Sequence, residues 1–92
     1  MDTNNIVAAD EFEEMLVAIS SLTGLMESRH YKGHEKFGSV RSHTTEKFLD
    51  SLERNIPNLI KAVKDNNELL IDKEIADVLN IIAAILVKVN DQ

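Results

Sequence analysis

Apolar positions along this chain recur every three or four residues and do not alternate in twos, so the pattern predicts helices and no strands. The first predicted helix covers about residues 10–28, with Phe12, Met15, Leu16, Ile19, Leu22 and Met26 on one stripe. Asp10 is placed to cap it, and Glu11, Glu13 and Glu14 complement the positive end of the helix dipole. The pattern breaks over residues 29–43, RHYKGHEKFGSVRSH, which hold two of the three glycines and all three histidines. That segment reads as a loop. A second helix is expected over about residues 44–65, capped by Thr44 or Thr45. Phe48, Leu49, Leu52, Ile56, Leu59, Ile60 and Val63 keep one helical phase across Pro57, which predicts a kinked helix rather than two separate ones.

The third predicted helix covers about residues 72–90, with Asp72 as cap and Ile71 folding back onto the next turn. Ile75, Val78, Leu79, Ile82, Ile85, Leu86 and Val89 form its main stripe, and Ile81, Ala83, Ala84 and Val87 spread apolar surface round the back. Between Val78 and Val89 only Asn80 and Lys88 are polar. A helix apolar nearly all round needs cover on more than one side. The fold class expected is therefore a small all-α bundle of three amphipathic helices, completed by self-association into a homo-oligomer.

Composition narrows this picture. Ninety-two residues make one domain with a thin core. No cysteine is present to staple it or to hold a metal as thiolate. Sixteen acidic and ten basic residues give a formal charge of -6, which disfavours broad binding to nucleic acid or anionic membranes. The run Ile81–Val87 is too short to span a bilayer, and the first residues carry no basic-plus-apolar leader pattern. A cytoplasmic location is expected. One local departure from acidity stands out: residues 29–43 carry Arg29, Lys32, Lys36 and Arg41 against Glu35 alone.

Two acidic pairs sit three residues apart and so share a helix face: Asp50 with Glu53, and Glu74 with Asp77. On neighbouring helices, two such pairs can cage a hard cation such as Mg²⁺, which would neutralise phosphate and activate water. Glu46, one turn before Asp50, is a further candidate ligand. Lys32, Lys36, Arg41 and Arg54 are candidates for gripping phosphate oxygens. A wheel at about 100° per residue sets both acidic pairs roughly 100° from the centre of the apolar stripes, so they flank the core.

The order D50-S-L-E53, twenty intervening residues, then E74-I-A-D77 resembles the paired acidic motif of the MazG-like, all-α nucleoside triphosphate pyrophosphohydrolases. The run KEIADVLNIIAAIL, Lys73–Leu86, is similar to that family's second motif helix. GHEKFG followed by EKFLDSLERN resembles the organisation of small phage-type dATP/dGTP diphosphohydrolase relatives. The resemblance spans roughly the last 55 to 60 residues. It implies Mg²⁺ held by Asp50, Glu53, Glu74 and Asp77, a nucleotide ligand, and a dimer or tetramer. The chain departs from the family at Asp50, where Glu is usual, and at Pro57, one helical turn after the first pair.

A second function class fits the same sequence. A small acidic helical protein with a basic loop can dock on a larger partner without catalysis, as an inhibitor or regulator of phage or plasmid type does. Other motifs carry less. Gly33 to Gly38 has GxxxxG spacing but lacks the lysine that follows in phosphate loops. His30 and His34 have metal-ligand spacing only if their segment is helical.

Overall fold

A computed structural model of the chain describes residues 3–91, with side chains from residue 10 onward. Three helices carry it: α1 (Thr3–Phe37), α2 (Thr45–Lys64) and α3 (Glu68–Asn90), with a 3-10 turn at Val40–Ser42 between α1 and α2. There is no strand among the described residues.

The helix boundaries differ from the sequence reading at two places. α1 is 35 residues long and continues through most of the segment expected to be a loop. One interior glycine costs about 1 kcal/mol against alanine, too little for Gly33 to end a helix whose neighbours favour it. His34 and Lys36 in the last turn also match the negative end of the dipole. The helix stops at Phe37, and the next residue, Gly38, takes φ +84° while its N–H reaches His34 O at 2.9 Å. Asp10 consequently lies inside α1 and caps nothing.

α3 likewise starts at Glu68, four residues before Asp72. Its cap is Asn67, whose side chain accepts from Leu70 N at 3.3 Å. Asn66, at φ 52°, makes the left-handed step that ends the tight turn after α2, so the next helix can begin at once. At the start of α2, Thr44 is the cap and accepts from Lys47 N at 3.1 Å. α2 runs unbroken through Pro57.

α3 lies between its neighbours and packs against both α2 and α1. Its second apolar side is therefore covered, at the level of Ala76 to Ala84, by α1 of the same chain. The core is slight: Ala62, Ala76, Val78 and Ala84 are the buried apolar residues among those described. Large side chains stay partly in water. Ile82, Leu86 and Val89 of α3 are exposed, and every residue from Asp10 to Ser21 of α1 is exposed.

The molecule measures 55 × 33 × 21 Å. Its radius of gyration is 16.3 Å, where a compact chain of this length would have about 12 Å. Its accessible surface is 7144 Å², against roughly 5,350 Å² for a compact monomer of the same mass. The excess comes largely from α1, which is long enough to span the 55 Å dimension at about 1.5 Å per residue.

Pro57 is exposed, so it contributes little packing while denying Glu53 O its helical donor. Pro57→Ala is expected to raise unfolding free energy by about 1–3 kcal/mol, measured by urea denaturation followed by circular dichroism.

Candidate functional site

The four acids begin on the two helices expected: Asp50 and Glu53 on α2, Glu74 and Asp77 on α3. Turn position decides whether they meet. A hairpin folded about Asp65–Asn67 sets residues equidistant from the turn side by side. Asn55 and Asn58 are then level with Asp77 and Glu74, while Glu53 lies about two residues beyond Asn55, ~3 Å, and Asp50 about five residues beyond it, ~7 Å at 1.5 Å per residue. The spacing in sequence hides this, because it treats all twenty intervening residues alike. Among the described residues, no three His, Asp or Glu side chains come together in a group that could hold a metal.

Each acid has its own surroundings. Asp50 and Glu53 line an open surface groove with Lys47 and Arg54. Those two cations already balance the carboxylate charge of the groove. Arg54 also donates from Nη2 to Ser51 Oγ at 3.4 Å.

Asp77 is engaged by α1. Arg29 donates from Nε to Asp77 Oδ1 and from Nη2 to Oδ2 at 3.2 Å, a two-pronged, part-buried pair. Both carboxylate oxygens are thus occupied. One turn along α3, Asn80 donates from Nδ2 to Met26 O at 2.9 Å. Together these contacts fix where α1 lies on α3.

Glu74 differs from the other three. Its side chain is only 12% exposed, and Oε2 is buried with no hydrogen-bond partner. Oε1 has Lys73 Nζ at 3.8 Å. A buried carboxylate oxygen without a donor is costly, so this position stores an unmet demand for a cation or proton.

The basic residues are dispersed. Lys32 and Lys36 lie on the last turns of α1, where Lys36 Nζ sits 5.2 Å from the Phe37 ring centre. Arg41 is in the 3-10 turn and pairs through Nε with Asp91 Oδ2 at 2.9 Å. Lys88 Nζ donates to Arg41 O at 3.5 Å, which ties the turn to the end of α3. His43 closes the same corner, with Nε2 2.8 Å from Phe37 O and Nδ1 3.1 Å from Lys47 Nζ. His30 and His34, now on a helix, have ring centres 6.2 Å apart on an exposed face.

The four acids are thus spread over separate surroundings: Asp77 pairs with Arg29, Glu74 is mostly buried beside Lys73, and Asp50 and Glu53 line a groove with Lys47 and Arg54. The contacts that organise this region are Arg29–Asp77 and Asn80–Met26, neither of which was singled out from sequence. A signal for the second existed: Asn80 is a lone amide in an otherwise apolar stretch, which is where a buried polar contact is to be expected.

Arg29→Ala should lower stability by about 1–3 kcal/mol, because it leaves Asp77 part-buried and unpaired. A double-mutant cycle with Asp77→Ala, read by chemical denaturation, should give a favourable coupling; additive losses would show that the pair does not hold α1 to α3.

No family model, no curated protein and no solved structure matches the chain.

Proposed function

We propose that this chain is a small, non-catalytic association protein that works through the exposed apolar face of its helices. The observation that carries this reading is the first half of α1. Over Asp10–Ser21 it exposes Phe12, Met15, Leu16, Val17 and Ile19, and every residue of that stretch is exposed. A free helical arm of that length is marginal in water, and most helical stability comes from packing an apolar face. A contiguous apolar surface of this kind marks an interaction site. The acids and bases support the same reading, since Arg29–Asp77 and Arg41–Asp91 act as struts between elements.

A second reading, MazG-like binding of a nucleoside phosphate with Mg²⁺, is favoured by one specific observation. Glu74 carries the buried, unpartnered oxygen described above. In that reading Glu74 is the residue around which a cation site would assemble, with Asp77 released from Arg29 and Asp50 and Glu53 brought closer by a shift of α2. Lys32, Lys36, Arg41 and Arg54 would then contact phosphate.

The two readings separate in one set of measurements. Association predicts that Leu16→Glu with Ile19→Glu abolishes partner binding while Glu74→Leu retains it. Glu74→Leu should also be neutral or stabilising by up to about 3 kcal/mol, because it removes a mostly buried carboxylate with one oxygen left without a partner. The nucleotide reading requires a rise in melting temperature, or release of phosphate or pyrophosphate, with Mg²⁺ and a nucleoside triphosphate. Such turnover, lost in Glu74→Leu, would overturn the association reading.

A further inference from the structure

All three histidines of the chain lie between Arg29 and Thr44, and the fold places them in two different settings. His43 has both ring nitrogens engaged, Nε2 with Phe37 O and Nδ1 with Lys47 Nζ. His30 and His34 are exposed on α1, and among the described residues neither ring is held by a hydrogen bond. Because Gly33 does not break α1, the two stand four residues apart on one continuous helix. Their ring centres are 6.2 Å apart, with the planes tilted by 43°. Residues at this spacing share a helix face, and two imidazoles so placed can hold one metal ion between them. At about 100° per residue the pair points roughly 110–150° away from the side that α1 turns to α3 through Leu22, Leu25 and Arg29, so it faces solvent.

We propose that His30 and His34 form a chelating site for a divalent transition-metal ion of the Zn²⁺, Ni²⁺ or Cu²⁺ class. Imidazole suits these ions, whereas Mg²⁺ and Ca²⁺ take oxygen ligands. Metal–nitrogen bonds of about 2.1 Å at a near-tetrahedral angle set two imidazole ring centres about 5 Å apart. From 6.2 Å, closure needs an approach of about 1 Å, which small rotations of exposed side chains supply. No group of three His, Asp or Glu that could hold a metal occurs among the described residues. Two ring nitrogens are therefore the protein's ligands, and water completes the coordination sphere. The site uses none of the acids considered for Mg²⁺ and none of the apolar side chains of the association reading, so it stands apart from both.

The charges of this region leave room for a cation despite their basic tally. Arg29 is neutralised by Asp77, which it meets at both carboxylate oxygens. Lys32 and Lys36 point roughly 140–180° away from the pair, while Glu27, one turn before His30, lies within roughly 40° of it. His34 is also in the last turn of α1, where the helix dipole is negative and favours positive charge. A bound ion would act on the helix itself. It would bridge the turn that contains Gly33, the weakest helix former there. α1 is fastened to α3 at Arg29, one residue before the pair, so the ion would stiffen the stretch between that fastening and the stop at Gly38. Only the helical chain holds the rings at this spacing, so binding favours the folded state.

Calorimetric titration of the untagged chain with Zn²⁺ and with Ni²⁺ tests the site. One ion per chain is expected, with a melting temperature that rises by several degrees in excess Zn²⁺ and stays unchanged in Mg²⁺. His30→Ala and His34→Ala should each weaken binding about tenfold or more, because a lone imidazole loses the benefit of two-point attachment. Both positions are exposed on a helix and alanine favours helix, so the variants should keep the wild-type circular dichroism. In proton NMR of the wild type, Zn²⁺ should move the ring signals of His30 and His34 and leave those of His43 in place. Absence of binding by either ion at submillimolar concentration overturns the proposal. So does binding that is undiminished in either alanine variant, and so does a stoichiometry of one ion to two chains, which would place the ion between copies.

Discussion

α3 is apolar on nearly every side, and covering it is the constraint that arranges the rest of the molecule. α2 covers one side because the turn after Lys64 is short and folds the chain straight back. α1 covers another side, reaching α3 from far away in sequence. Two polar contacts fix that approach. Arg29 grips Asp77, and Asn80 reaches the Met26 carbonyl. Such contacts add direction that apolar surface lacks, because burial alone would let α1 slide along α3. Arg41–Asp91 and Lys88–Arg41 then close the corner where α1 gives way to α2.

This arrangement leaves α1 longer than α3 can use. Over Asp10–Ser21 α1 leaves an apolar face exposed to water. The fully buried core is made of alanine and valine, which lets the helices approach closely, with half-buried leucines and isoleucines such as Leu25, Leu59, Leu79 and Ile85 around it. A chain that buries so little has weak means to stabilise itself alone. The exposed apolar face of α1 and the thin core are two aspects of the same fact. Apolar side chains that a larger domain would bury inside are here placed along an outer helix face.

Much of the fold was legible in the residues. The spacing of apolar positions gave three helices and no strands, and Thr44 was a readable cap. Residues 29–37 lose the apolar stripe and carry Gly33, so the pattern there points to a loop although the chain stays helical. One glycine is a small penalty, and the real stop was the positive φ at Gly38. Asn66 and Asn67 mark the end of the second helix in sequence, yet Asp72 is also a good cap, and the residues alone do not show that α3 begins at once after Asn67. The need of α3 for a second cover was read correctly. Its supplier at Ala76 to Ala84 proved to be α1 of the same chain, which no local pattern could reveal. The acidic pairs were found on the expected helices, but their register depends on where the turn falls. Asn55 and Asn58, level with Asp77 and Glu74, are amides and so carry no charge pattern that marks their position in the sequence.

The central claim is that residues 10–21 of α1 are an association surface. Hydrogen exchange of those backbone amides, followed as protein concentration is raised, tests it most directly. A helical arm stabilised by a partner should exchange slowly at high concentration and progressively faster on dilution, while amides of α3 near Ala76 and Val78 change little. Exchange across residues 10–21 that is the same at every concentration would contradict the account.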